Sequence, residues 1–196
     1  PVHKVTIIPR GRALGVTAQL PVDEKHNYSK NYLLGRLDIL MGGRCAEKII
    51  FNDITTGAGN DISVATDLSR KMVTEWGMTD KIGPLAFAQK SEEIFLGRDI
   101  SQGIDLSDEM SNIIDSEISK FVKIAEENAK RILTENIDQL HSIAKALLEF
   151  ETIDGNDLSR LVNGEKIVKI QPDKLSEEKP RRRRNKKDKT SENPSA

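Results

Sequence analysis

Cysteine, aromatics and long apolar runs are all scarce in this chain of 196 residues. The one cysteine, Cys45, excludes an internal disulfide framework and suits a reducing compartment. Five Phe, two Tyr and one Trp leave the core to Ile, Leu, Val and Ala. No apolar run reaches the roughly 18 residues of a membrane span, and no signal peptide is visible at the start. The chain opens on Pro rather than Met, as a fragment or a processed product would. Familiar catalytic patterns are missing too. His3, His26 and His141 form no H-E-x-x-H, and Cys45 has no Cys or His at ligand spacing. There is no G-x-x-x-x-G-K-[ST] phosphate loop, no G-x-G-x-x-G and no G-x-S-x-G elbow. Read on residues alone, this is a polar domain without a complete active site.

What is present is a charge asymmetry hidden by a net charge of −1. Residues 173–196 hold nine basic and five acidic residues, against 21 basic and 26 acidic in the rest. The tail concentrates Arg181, Arg182, Arg183, Arg184, Lys186, Lys187 and Lys189, and it has no large apolar residue after Leu175. Such a segment cannot bury enough surface to offset its chain entropy, so residues 163–196 are expected to be a linker and a disordered basic tail. Its charge suits phosphate, anionic lipid or acidic protein surfaces. No aromatics interleave with it, so no specific nucleic-acid binding is expected.

The body, residues 1–162, is expected to be mainly helical with a small β-hairpin at the start. Val5, Ile7 and Val16, Ala18, Leu20 alternate with polar neighbours across a Pro9-Arg10-Gly11 turn. Residues 5–8 could offer a strand edge to an extended peptide. Over 29–51, Leu33, Leu34, Leu37, Leu40, Met41, Ile49 and Ile50 recur at helical steps. Gly42-Gly43 in that helix suggest a close helix contact, a break or a kink.

A second helix is predicted from Asp61 to Trp76, with Ile62, Ala65, Leu68, Met72, Val73 and Trp76 inward and Gly77 as its stop. Residues 77–106 read as an irregular surface connection anchored by Ile94-Phe95-Leu96. A long helix follows, capped by Ser107 and ending near Leu133. Another starts at Asn136 with Gln139 in the capping-box position, and the short joint favours an antiparallel pair. A last short helix spans 154–161 with Asp154 as its cap.

The most unusual segment is the junction over residues 55–61. Asn60 or Asp61 could simply cap the helix that follows. Alternatively, the Asp61 carboxylate could face a pocket and bind a metal, since carboxylates are standard zinc ligands. The other candidates read as structural. His3 starts a strand, His26 and His141 sit in polar or amphipathic surroundings, and Cys45 is a small helix-packing hydrophobe.

Several runs in series resemble the FtsH family. They are His3-Lys4-Val5-Thr6-Ile7-Ile8-Pro9-Arg10-Gly11, Met41-Gly42-Gly43-Arg44-Cys45-Ala46-Glu47 and Thr55-Thr56-Gly57-Ala58-Gly59-Asn60-Asp61. Met72-Val73-Thr74-Glu75-Trp76-Gly77-Met78, Gly83-Pro84-Leu85 and Phe95-Leu96-Gly97-Arg98 continue the likeness. The family comprises membrane-anchored, ATP-dependent zinc metalloproteases that form hexameric rings. The resemblance covers roughly residues 1–162 and implies the C-terminal part of a helical zinc metallopeptidase domain.

The family's H-E-x-x-H helix, transmembrane segments and AAA+ ATPase module lie upstream of the matched part. Its third zinc ligand is an aspartate in the motif matched by Asn60-Asp61, so the resemblance assigns Asp61 as a metal ligand. It implies zinc and, in the upstream module, ATP as cofactors, and unfolded or membrane proteins as substrates. It also implies a homo-hexameric parent, anchored in the bacterial inner membrane or an organelle membrane of bacterial origin with the protease domain on the cytoplasmic face. No catalytic residue is assigned within this chain, which alone is expected to be inactive. The alternative is a non-catalytic helical interaction module from a truncated or split gene.

Overall fold

Four-residue steps of apolar side chains set the first helix. Helix α1 (Lys30–Phe51) starts where the Ser29 hydroxyl accepts from the Tyr32 amide, and it buries Leu33, Leu37, Met41 and Cys45. A computed structural model describes residues 2–9, 11, 13–20, 27–87 and 106–167. The basic tail, His26 and the Ile94-Phe95-Leu96 anchor lie outside the described residues. Helix α1 runs unbroken through Gly42 and Gly43, and a Cβ added at either would meet nothing within 4 Å. The expected break at these glycines is therefore absent, and among the described residues no close contact forms there.

Helices α2 (Gly59–Thr74) and α3 (Asp108–Glu135) pack on α1. Ala65, Met72 and Val73 of α2 and Ile114, Ile118, Phe121, Ala125 and Ala129 of α3 complete one core with the α1 stripe. Small residues at Cys45, Ala65, Ala125 and Ala129 let the helices approach, while the fully buried Leu37 and Met41 each contribute about 1.5–3 kcal/mol of burial. Ser107 caps α3 by accepting from the Met110 amide, as its sequence position predicts.

After α2 the chain turns at Gly77, φ +58°, where a Cβ would come within 2.9 Å of the Gly83 carbonyl. Trp76, expected in the core, is 44% exposed, because α2 ends at Thr74 before the stripe reaches it. The described part of the following connection is not all surface, since Thr79 and Ile82 are buried.

The second core brings the two ends of the described chain together. Strands β1 (Val2–Thr6), β2 (Val16–Gln19) and β3 (Thr152–Asp154) form an antiparallel sheet in the order β2-β1-β3. Val5 stands opposite Thr17 on one side and Ile153 on the other. The hairpin was expected; the third strand was not. It overturns the idea that residues 5–8 offer a free edge, because β1 is central and the Ile7 amide donates to the Glu151 carbonyl.

Helices α4 (Ile137–Phe150) and α5 (Gly155–Val162) cover this sheet through Ala146, Ile153 and Leu161. Asp154 caps α5 by accepting from the Asp157 amide at 2.8 Å. Gly155 is required, since a side chain there would collide with the Val2 carbonyl. Two expectations about α4 fail. Asn136 ends α3 and begins α4 at once, which leaves no room for reversal, so α4 packs on β3 and α5 instead of lying antiparallel along α3. No capping box forms either: the Asn136 side-chain amide turns back to donate to the Ile132 carbonyl.

Candidate metal-ligand site

The segment between α1 and α2 is built around threonine and glutamate. Helix α1 closes at Asn52, which takes the left-handed conformation with φ 50°. The Ile54 amide then donates to the Asp53 carboxylate at 2.7 Å. Thr55 is extended, and its hydroxyl accepts from the Gly57 amide at 3.1 Å, capping a 3₁₀ turn over Thr56–Ala58. That turn runs directly into α2, and the Gly59 amide donates to the Thr56 carbonyl. Ala58, buried at 6% exposure, seats the joint against the bundle.

This arrangement bears on the capping reading of the junction. Neither Asn60 nor Asp61 caps α2, whose first residue is Gly59 and whose start carries no side-chain cap. The capping work is done earlier in the chain, by Thr55. Asp61 is left in the first turn of α2, half-buried, with no hydrogen bond or ion pair among the described residues. The partial positive charge of the helix N-terminus favours an anionic group there by about 0.3–1 kcal/mol. A carboxylate held by its helix, yet unengaged by protein donors, fits the needs of a metal ligand.

Glu47 fixes the junction from the facing turn of α1. Its Oε2 accepts from the Thr55 amide and its Oε1 from the Thr55 hydroxyl, both at 2.9 Å. Sequence reading assigns neither Glu47 nor Thr55 a role beyond membership of the motifs. A glutamate near the end of a helix, followed by a Thr-Thr-Gly loop, was the only signal.

The other candidates stay apart from this site. His3 lies exposed on β1 and His141 exposed on α4. Cys45 is buried in the helical core and donates to the Glu126 carbonyl at 3.5 Å. Among the described residues, no group of three or more His, Cys, Asp or Glu side chains is placed to hold a metal. Clefts of about 370 Å³ beside Tyr28 and Trp76 and about 360 Å³ beside Cys45 and Lys130 are not lined by Asp61. Among the described residues, no helix is long and apolar enough to cross a membrane.

Comparison with known proteins places the sequence in a family. The model of peptidase family M41 matches residues 1–161. An ATP-dependent zinc metalloprotease FtsH of Magnetococcus marinus is 52% identical over 165 residues, which are 84% of this chain and 24% of that protein. FtsH 1 of a Thermoanaerobacter species is 48% identical over 171 residues, 87% of this chain and 28% of its own length. FtsH of Acidobacterium capsulatum is 50% identical over 172 residues, 88% of this chain and 27% of its own length. The chain spans about a quarter of the length of these relatives. With a family model covering most of the chain and about half of the aligned residues shared with FtsH proteins, the chain belongs to peptidase family M41 and carries part of an FtsH-type peptidase domain.

Proposed function

We propose that the chain supplies the distal part of the catalytic domain of an ATP-dependent zinc metalloendopeptidase, with Asp61 as a zinc ligand. The observation that supports this is the Asp61 carboxylate at the start of α2, without a partner among the described residues while Thr55 does the capping. When bound, zinc supplies a Lewis acid that lowers the pKa of a water toward ~7 and polarises a peptide carbonyl. The chain's own residues do the holding. Helix α2 presents Asp61, Ala58 and Ala65 seat α2 on the bundle, and α1 and α3 form the wall behind it.

Two further ligands and a general base have to come from an H-E-x-x-H outside this chain, since its three histidines offer none. Alone, with one carboxylate of about three ligands, the chain is inactive. ATP hydrolysis belongs to another module of the whole protein, because the sequence holds no phosphate loop. Substrates are unfolded or membrane proteins, the working unit is a homo-hexamer, and the parent is anchored in a bacterial inner membrane or one of bacterial origin. These properties follow the family resemblance; the relatives' names carry ATP dependence, zinc and proteolysis.

A chimera tests the reading. Residues 1–161 replace the matching segment of the Magnetococcus marinus relative, and zinc content and ATP-dependent cleavage of a labelled unfolded protein are measured. The expected result is an active, zinc-loaded chimera in which Asp61→Asn loses zinc and at least about 100-fold in kcat/KM. Retention of both by Asp61→Asn would falsify the ligand role. A chimera that assembles but never cleaves would favour the non-catalytic interaction module.

A further inference from the structure

We propose that Glu47 is a positioning residue for the metal site: by clamping Thr55 it sets where Asp61 stands. The inference rests on the reading of Asp61 as a zinc ligand and adds to it the device that aims the ligand. Three hydrogen bonds carry it. Both carboxylate oxygens of Glu47 are used on one residue, the Thr55 amide and hydroxyl, each at 2.9 Å. The same hydroxyl, having donated its proton to Glu47, has its lone pairs directed to the Gly57 amide at 3.1 Å.

The chain therefore links α1 to the first amides of the 3₁₀ turn without a flexible step. That turn is fused to α2, with Asp61 in the next turn. A bidentate carboxylate fixes rotation as well as distance, because two parallel bonds to one residue leave no hinge between them. Gly57 sits close to the clamp: a Cβ there would lie 3.2 Å from the Thr55 hydroxyl and 3.6 Å from Glu47 Oε1.

A surface glutamate with a merely solvating role would not spend both oxygens on a loop backbone and its cap. Each Glu47 oxygen accepts one of these bonds, so the carboxylate is oriented toward Thr55. What it controls is the entry of α2. Outer-shell groups of this kind typically alter metal affinity 10–100-fold when removed.

The test uses the chimera described above, stripped of metal. Zinc affinity is measured by competition with a chromophoric chelator, well below the melting temperature, and Co²⁺ is added separately for its visible spectrum. Glu47→Ala and Thr55→Val are each expected to weaken zinc binding about tenfold and to alter the Co²⁺ bands. The double variant is expected to be no worse than either single one, because both break the same chain. Thr55→Ser, which keeps the hydroxyl, is expected to restore affinity, and Glu47→Gln, which keeps one acceptor, to fall between.

General destabilisation alone would lower the melting temperature and leave affinity and Co²⁺ bands unchanged. If Glu47→Ala does not fold, Thr55→Val and Glu47→Gln decide the matter. Wild-type affinity and spectra in these variants, with zinc lost in Asp61→Asn, would overturn the clamp and leave the ligand reading standing. Unchanged affinity in Asp61→Asn would overturn both.

Discussion

At the scale of single residues, burial sets reactivity. Cys45 is 2% exposed on the inner face of α1. Burial pushes its thiol pKa above the ordinary 9.0, and the Glu126 carboxylate adds to the shift, while Lys48, Arg44 and Lys130 oppose it. The thiolate is the reactive form, so this cysteine is inert in the folded protein. Iodoacetamide at pH 8 is expected to label it only as fast as the protein opens, and full labelling of native protein within minutes would contradict this. The sign of the pH dependence follows from the same shift. A folded pKa raised above the unfolded one gives a contribution that is complete below pH 9.0 and lost as pH rises through the folded pKa. Cys45→Ala is expected to flatten that part of the stability profile. Thr6 shows the same economy of buried polar groups: its hydroxyl donates to the Glu151 carbonyl and accepts from the Ile8 amide and the Thr152 hydroxyl.

At the scale of elements, one ion pair ties the connection after α2 to α3. Lys81 Nζ lies 3.3 Å from Glu117 Oε1, with side-chain exposures of 60% and 6%. The same glutamate oxygen has no hydrogen bond among the described residues, so the lysine charge is what offsets its burial. Lys81→Met is expected to cost about 2 kcal/mol in urea denaturation, below the 3–5 of a fully buried pair because the lysine is wet. Glu117→Gln added to it should recover part of that loss, and a further loss instead would show that the pair is not what matters.

Elements differ in how far they could be read from sequence. The start of α3 and the cap of α5 were legible because Ser107 and Asp154 act on their own neighbours. Strand β3 was not, since three residues carry no periodicity and Thr152–Asp154 become a strand only through pairing with β1. The same difference runs through the site. The motif proposes Asp61, whereas Glu47 looks like any polar helix residue until the fold sets it against Thr55. Gly42 and Gly43 misled because a helix interior with open space beside it tolerates glycine without requiring it.

At the scale of the molecule, the two cores meet, among the described residues, mainly at the Asn136 joint and the hydrogen bond from Arg36 to Gln19. The three-helix core holds the junction that bears Glu47, Thr55 and Asp61. The sheet with α4 and α5 joins β1 to the end of the described chain. Local stability then need not be uniform, and the site should follow the first core rather than the second. Ile153, fully buried between sheet and helices, is the place to separate them. Truncation to alanine removes a core side chain and leaves a cavity, a change that costs about 2–5 kcal/mol. Native-state hydrogen exchange of Ile153→Ala is expected to show that loss in amides of the sheet, α4 and α5. Protection in α1, α2 and α3 is expected to stay close to that of the unmutated chain, and with it the amides of Thr55 and Gly57. An equal drop across all helices would mean that the two cores open as one unit. In that case the second core, remote from the metal-ligand junction, would be a direct determinant of how firmly Asp61 is held.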